Sequence, residues 1–216
     1  MQEGNTKINP YVVVIVILVI IVGVLVYNQW GKKDVDNGDN GKVDVDIIDI
    51  VVGNEDAPVT IIEYFSYFCG YCKLFHDETY PEIVKEYIST GKAKFVLRAF
   101  PPYELGLALL CANEQDKALE YHEELFARSQ EIESADTLKA LAGNVGLNQD
   151  DFDTCVDTGK YAAEAEAWYA QADLDFTEAG VSTDQRGTPA FFINGELLLG
   201  AQPYENFIEV LDKMLE

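Results

Sequence analysis

The chain has 216 residues, which is enough for one well-packed domain and an extension. Its 38 acidic side chains outnumber its 15 basic ones, and the formal net charge at pH 7 is -23. A nucleic-acid partner is therefore not expected, because binding to phosphates requires a surplus of Lys and Arg.

The N-terminal segment has the composition of a membrane anchor. Residues 11–27 contain no charged side chain, and a run of this length can just cross a bilayer as a helix. Trp30 and Lys32 follow and are typical of the membrane interface. We expect a short cytoplasmic N-terminus at residues 1–10 and a transmembrane signal anchor at residues 11–30. A cleaved signal peptide is the alternative, although no small residues follow at cleavage-site spacing.

Residues 31–46 are acidic and rich in glycine, which predicts a flexible tether between the anchor and a folded domain at residues 47–216. A calcium-binding loop is the alternative for this stretch. The spacing of its acidic residues does not match that of a calcium loop, and no Glu closes it.

The first half of the domain predicts a strand, a helix and a second strand. The run Val59–Phe65 is β-branched and aromatic, which is typical of a buried strand. Residues 70–89 have helical spacing, with Leu74 on the apolar face and Pro81 as a kink or a break. Residues 93–100 form the second strand, so the unit is a right-handed parallel crossover.

The second half of the domain predicts a helical insertion followed by a hairpin and a helix. Residues 104–180 are expected to form three or four helices. Asn194 and Gly195 between two apolar runs predict a β-hairpin with a type I′ turn. Apolar residues at helical spacing in residues 204–215 predict an amphipathic closing helix. The order is β-α-β, helical insertion, β-β-α, which is an α/β fold.

Cys69 and Cys72 lie three residues apart where the first strand leads into the helix. Unpaired amides at a helix N-terminus stabilise a thiolate and lower the pKa of a thiol from about 8.5. The second cysteine follows one turn later and can attack a mixed disulfide on the first. Half of a zinc site is an alternative, with His76 as a third ligand and Cys111, His122 or an acidic residue as a fourth. A structural crosslink is another. We favour a redox dithiol, and we expect His76 to be an exposed helix residue.

Two motifs resemble those of the DsbA-like thiol:disulfide oxidoreductases of the thioredoxin superfamily. They are "EYFSYFCGYC" at residues 63–72 and "GTPAFFING" at residues 187–195, and "CANEQDKALEYHEELF" at residues 111–126 is similar to the family's helical insertion. The resemblance implies a thioredoxin-like fold with an all-helical insertion, here preceded by one N-terminal transmembrane helix.

The resemblance also implies a role for each residue of the site. Cys69 is the attacking cysteine, Cys72 is the resolving one, and Pro189 is a cis-proline that faces them. Thr188 offers its backbone to substrate. Glu63 matches an acidic residue beneath the site and would accept a proton from Cys72; a solvent-exposed Glu at a sheet edge is the alternative. No cofactor other than the Cys69–Cys72 disulfide is implied, and no metal.

Gly70 and Tyr71 depart from the Pro-His pair of the strongly oxidising family members. A helix N-terminus alone contributes at most about 2 kcal/mol, or about one and a half pKa units. We therefore expect an oxidant that is weaker than the Pro-His type.

Cys111 and Cys155 both fall in the insertion, where the resemblance implies a structural disulfide. Two buried thiols that act as small apolar residues are the alternative.

Several apolar residues near the dithiol predict a surface that binds unfolded polypeptide with little sequence preference. The residues are Tyr67, Phe68, Tyr71, Pro101, Pro102 and Tyr103. The alternative is that part of this set belongs to the core.

The expected function is an extracytoplasmic oxidoreductase that donates its disulfide to folding exported proteins with free thiols. Its implied partners are a membrane quinone-linked reoxidase of DsbB or VKOR type and the membrane that holds its own anchor. A disulfide reductase or isomerase is one alternative. A metal-binding or holdase module without redox turnover is a second, and a glutathione-dependent transferase is a third.

Overall fold

The computed structural model describes residues 45–216. The predicted anchor and nearly all of the predicted tether lie outside the described residues. In the described part of the chain, no helix combines the length and the apolar character that a membrane crossing requires.

The described residues form a five-stranded mixed sheet with helices on both faces. The strands are β1 (Ile50–Val52), β2 (Val59–Phe65), β3 (Ala93–Ala99), β4 (Ala190–Ile193) and β5 (Glu196–Leu199). The helices are α1 (Gly70–Glu78), α2 (Tyr80–Ile83), α3 (Tyr103–Asn113), α4 (Ala118–Ala127), α5 (Ala135–Asn144), α6 (Gln149–Asp157), α7 (Ala162–Glu178) and α8 (Tyr204–Leu215).

The central strand of the sheet is β2, and the strand order is β1-β3-β2-β4-β5. Strands β2 and β3 are parallel, as the predicted crossover requires, and all other pairs are antiparallel. Because side chains alternate along a strand, Ile61, Glu63 and Phe65 lie on one face of the sheet and Tyr64 on the other. The first face packs in the larger core with α1 and α8, while Tyr64 packs against α7 through Phe176.

The helical stretch after β2 is split before Pro81, as predicted. Helix α1 ends at Glu78, α2 begins at Tyr80, and one π-helical turn follows at Val84–Ile88. The expected orientation of Leu74 was wrong, because its side chain is exposed. Cys72 and Phe75 occupy the buried face of α1. Leu74 comes between them in sequence, but its side chain lies on the outer surface of the helix.

The insertion contains five α-helices rather than the three or four expected. The break that the sequence did not reveal follows α3, where Asp116 adopts a left-handed backbone conformation with φ of 55°. Two later breaks coincide with conventional helix caps. The side chain of Ser134 accepts a hydrogen bond from an amide of α5, and that of Asn148 accepts one from an amide of α6.

The predicted hairpin is present between β4 and β5. Asn194 has φ of 47° and Gly195 has φ of 89°, so both turn residues have the positive φ that a type I′ turn requires. The closing helix α8 covers Tyr204–Leu215, as predicted. Strand β1 was not predicted, because three residues at a sheet edge give too short a pattern to recognise.

Cys111 of α3 and Cys155 of α6 are joined by a disulfide, with their Cα atoms 5.9 Å apart. This is the pairing that the sequence resemblance implies. The bond connects residues 44 positions apart and fastens two helices of the insertion to each other.

We expect the double variant Cys111→Ala/Cys155→Ala to lose stability, because the bond restricts the unfolded chain. In the chain-entropy model a loop of this length contributes about 4 kcal/mol. Denaturant unfolding of wild type and variant under non-reducing conditions measures the difference. A loss below about 1 kcal/mol would contradict the prediction, and the gap between the two proteins should close once dithiothreitol has reduced both.

Candidate active site

The site begins where β2 ends and α1 starts. Cys69 is the N-cap residue of α1, with φ of -89° and ψ of 115°, and its side chain is partly exposed. The first amides of a helix have no partner within the helix. The sulfur of Cys69 therefore lies where backbone N–H groups and the helix dipole stabilise negative charge.

The pKa of the Cys69 thiol is lowered from its ordinary value. Partial burial of the sulfur acts to raise the pKa, but hydrogen bonds with the side chain of Thr188, with Cys72 and with the backbone amide of Tyr71 lower it by more. The thiolate is the nucleophilic form of cysteine, so the lowered pKa favours nucleophilic reactivity at Cys69.

Cys72 follows Cys69 by one helical turn and lies on the buried side of α1. It is fully buried, and its sulfur accepts a hydrogen bond from the amide of Ser66 at 3.4 Å. Burial, and then the negative charge of Glu63, raise the pKa of this thiol far above its ordinary value. Both cysteines are free thiols in this structure. The pair therefore consists of an accessible, acidic thiol and a buried one that stays protonated.

The second sequence motif meets the dithiol through the pairing of β2 with β4. Tyr64 lies opposite Ala190, so the residues just before β4 lie beside the end of β2. The Thr188–Pro189 peptide bond is cis. The Cys69 thiol donates a hydrogen bond to the Thr188 carbonyl oxygen at 3.3 Å, across 119 residues of chain.

Glu63 lies on the central strand of the sheet and is fully buried. It is therefore not a solvent-exposed residue at a sheet edge. One carboxylate oxygen pairs with Nε2 of His76 at 2.9 Å. The other has no hydrogen-bond partner among the residues that the structure describes.

The expectation that His76 is exposed was wrong, since only 9 % of its side chain is accessible. The helical period explains the error: His76 follows Cys72 by four residues and Phe75 by one, on the buried side of α1. The spacing between Cys72 and His76 contains this signal. Its imidazole pairs with the Glu63 carboxylate.

His122 lies behind the dithiol, and its sequence context predicted only a possible zinc ligand. It is buried in α4, and its Nδ1 lies 2.9 Å from the hydroxyl of Tyr67. Burial, and then the neighbouring His76, lower the pKa of His122 well below its ordinary value, so this ring is neutral. Tyr67 is buried as well, which corrects its expected place on the substrate surface.

The apolar surface beside the dithiol is carried mainly by residues of the helix start. Phe68 is 47 % and Tyr71 is 68 % exposed, and Leu74 adds to them. Pro101 and Tyr103 are half-buried. A neighbouring cavity of about 410 Å³ is lined by apolar side chains and by a few polar ones: Phe68, Pro102, Leu105, Ile132, Ala135 and Leu138 with Glu104, Glu133 and Ser134.

Neither residue between the two cysteines adds positive charge. Gly70 has no neighbouring atom within 4 Å of where a Cβ would lie, and the Tyr71 side chain extends into solvent. Within residues 45–216, no three His, Cys, Asp or Glu side chains are grouped as metal ligands.

Comparison with known proteins agrees with this geometry. The family model described as thioredoxin matches residues 46–213. Disulfide bond formation protein D of Bacillus subtilis is 27 % identical over 173 residues, which cover 77 % of each chain. A relative from Rickettsia conorii is also 27 % identical, and the match covers 80 % of this chain but only 62 % of that protein.

Solved structures share the fold. The alpha-DsbA1 structure of Wolbachia pipientis superposes with a TM-score of 0.64 at 25 % identity, covering 77 % of this chain and 90 % of that one. Oxidised BdbD of Bacillus subtilis gives 0.62 at 24 % identity, with 76 % and 91 % covered.

We expect Cys69 of the reduced protein to react with iodoacetamide at pH values where an ordinary thiol is largely protonated. The reason is its lowered pKa, whereas the raised pKa of Cys72 keeps that thiol unreactive. The rate of alkylation measured against pH in the Cys72→Ala variant isolates Cys69, and Cys69→Ala is the matched control. A midpoint at or above about 8.5, the value of a free cysteine, would contradict the prediction.

Proposed function

Because the chain belongs to the thioredoxin family and is a DsbA-like protein-disulfide oxidoreductase, we propose that it donates the Cys69–Cys72 disulfide to exported proteins as they fold outside the cytoplasm. The observation that supports this most directly is the asymmetry of the dithiol. Cys69 is accessible with a lowered pKa, and Cys72 is buried with a raised one. A stabilised thiolate favours the reduced enzyme, and an enzyme that favours its own reduced form oxidises others.

The reaction proceeds by two thiol–disulfide exchanges. A substrate thiolate attacks the sulfur of Cys69, the Cys69–Cys72 bond breaks, and Cys72 leaves with the electron pair and takes up a proton. A second substrate thiolate then attacks the substrate sulfur of the mixed disulfide, and Cys69 leaves as a thiolate. The substrate gains one disulfide, and the enzyme gains two electrons. No cofactor enters either step.

Thr188 and Pro189 hold the substrate chain at the attacked sulfur in this proposal. The Thr188 carbonyl already lies 3.3 Å from Cys69. An extended substrate segment that pairs with the Thr188 backbone would place its cysteine beside that sulfur. Such main-chain pairing requires no particular side chains, so it suits an enzyme that acts on many unfolded proteins.

In this proposal Glu63 gives a proton to Cys72 and later takes it back. Cys72 must receive a proton when it leaves as a thiolate and lose one when the enzyme is reoxidised. Glu63 is buried on the same face of the sheet as α1, and its charge acts on the pKa of Cys72. A carboxylate there supplies general acid–base catalysis where bulk water has no access.

The exposed side chains of Phe68, Tyr71 and Leu74, with Pro101 and Tyr103 beside them, form the substrate-binding surface in this proposal. Unfolded chains expose apolar side chains, and such a surface binds them without reading a sequence.

An oxidising compartment and a membrane partner complete the proposed cycle. Disulfide donors work where glutathione does not keep thiols reduced, and the Cys111–Cys155 bond is typical of such compartments. The apolar sequence of residues 11–30 supports an anchor. Its flanking charges do not decide the orientation, and the need of a disulfide donor for an oxidising compartment favours the N-terminus inside and the catalytic domain outside. A quinone-linked reoxidase of DsbB or VKOR type would then return the enzyme to its disulfide form.

We expect the reduction potential of the Cys69–Cys72 pair to lie between those of thioredoxin, about -270 mV, and DsbA, about -120 mV. The helix N-terminus stabilises the Cys69 thiolate, but Gly70 and Tyr71 add no positive charge. Equilibration of the full chain with glutathione buffers measures the potential, and Cys72→Ala controls for signal from the other disulfide. A potential at or below that of thioredoxin would indicate a reductase instead.

We expect the full chain to remain with the membrane pellet after carbonate extraction, with its dithiol outside. A membrane-impermeant maleimide applied to reduced, intact spheroplasts should label Cys69, and Cys69→Ala should abolish the label. Labelling that appears only after lysis would contradict the proposed location.

A further inference from the structure

The two histidines of the chain meet behind the dithiol. His76 belongs to α1 and His122 to α4, and their ring centroids are 4.8 Å apart. Of the two histidines, His76 is the one that hydrogen-bonds Glu63, at 2.9 Å.

The buried pair of Cys72 and Glu63 raises a problem of proton supply. Both side chains are fully buried, so neither exchanges a proton with bulk water directly. The one hydrogen bond described for the Glu63 carboxylate goes to His76. The imidazole of His76 is therefore the group with which Glu63 can exchange a proton through a hydrogen bond.

A cavity of about 450 Å³ lies on the far side of His76. His76 forms part of its wall, together with Lys73 and Asp77, whose side chains are 45 % and 57 % exposed. The cavity therefore opens at the protein surface. Among the residues described, it is where the Glu63–His76 pair approaches solvent.

No other charged or titratable group described around His76 hydrogen-bonds the Glu63 carboxylate. On α1, Lys73 and Asp77 pair with each other at 2.9 Å. From α4, Glu123 lines the cavity, and His122 is kept neutral by its burial and by His76. The remaining groups are the hydroxyls of Tyr80 and Tyr67. The Tyr80 hydroxyl is buried and has no described partner, and the Tyr67 hydroxyl bonds His122. Burial raises the pKa of both phenols, so neither ionises near neutral pH.

We propose that His76 carries protons between Glu63 and this cavity, so that Cys72 exchanges its proton with solvent through Glu63 and His76. The inference rests on the proposed exchange at the dithiol. During substrate oxidation the imidazole takes a proton from cavity water at one ring nitrogen and gives one to Glu63 from the other. Glu63 passes its proton to the leaving Cys72 thiolate. During reoxidation each transfer reverses, and Glu63 and His76 end each cycle unchanged.

The reaction of the reduced full chain with 5,5′-dithiobis(2-nitrobenzoate) tests the relay, because it separates the two cysteines in time. Attack by Cys69 releases the first thionitrobenzoate, and attack by Cys72 on the mixed disulfide releases the second. We expect His76→Gln to slow the second phase at least about tenfold and to leave the first unchanged. Glu63→Gln should slow the same phase. His122→Gln, which removes a buried histidine of the same cluster, should not.

Chemical rescue separates proton transfer from a structural role. In His76→Gly, imidazole added to the buffer should restore the second phase, since it can enter the cavity and carry a proton. Pyrazole has the same size but is far less basic, so it should not restore it. His76→Asn replaces either variant if circular dichroism shows that it does not fold.

A wild-type rate in His76→Gln, or rescue by imidazole no better than that by pyrazole, would overturn the relay. The rate of the second phase measured against pH gives an independent check. Without His76 as proton carrier, this rate should rise more steeply with hydroxide concentration in His76→Gln than in wild type. A wild-type protein that shows no second phase would overturn the proposed function itself.

Discussion

The pairing of β2 with β3 on one side and β4 on the other is the constraint on which the site depends. It fixes the end of β2, from which the chain turns into α1 at Cys69. The antiparallel register with β4 then places the Thr188 carbonyl against that sulfur. One central strand therefore brings together two motifs that are more than a hundred residues apart, and the same strand carries Glu63 beneath them.

Burial separates the chemistry of the two sulfurs. The lowered pKa of Cys69 means that its thiolate stabilises the folded reduced protein. That contribution is fully present above the unfolded pKa of about 8.5. It is lost as the pH falls through the lower folded value. The oxidised protein has no thiolate at this position, so rising pH in this window raises the stability against unfolding of the reduced protein but not of the oxidised one.

Much of the fold could be predicted because its signals are local. The apolar run of β2, the break before Pro81 and the turn at Asn194 and Gly195 each follow from a few adjacent residues. The extra break at Asp116 could not, because no proline or glycine marks it, and the strand β1 could not, because its three residues are too short a pattern.

The candidate site was predictable only as far as its motifs extend. Cys69, Cys72 and Pro189 stand in recognisable stretches of sequence. The buried places of His76 and Tyr67 depend on how α1 and α4 pack against each other, and that contact is made in three dimensions. The four-residue spacing from Cys72 indicates the side of α1 on which His76 lies, but its neighbours on α4 are known only from the packing of the two helices.

The crosslink between Cys111 and Cys155 also bears on how the protein is made. Both sulfurs are buried once the insertion has closed, so the bond forms most readily while the nascent chain is still open. A chain whose insertion closes before the bond forms would hold two buried thiols that an oxidant in solution reaches poorly.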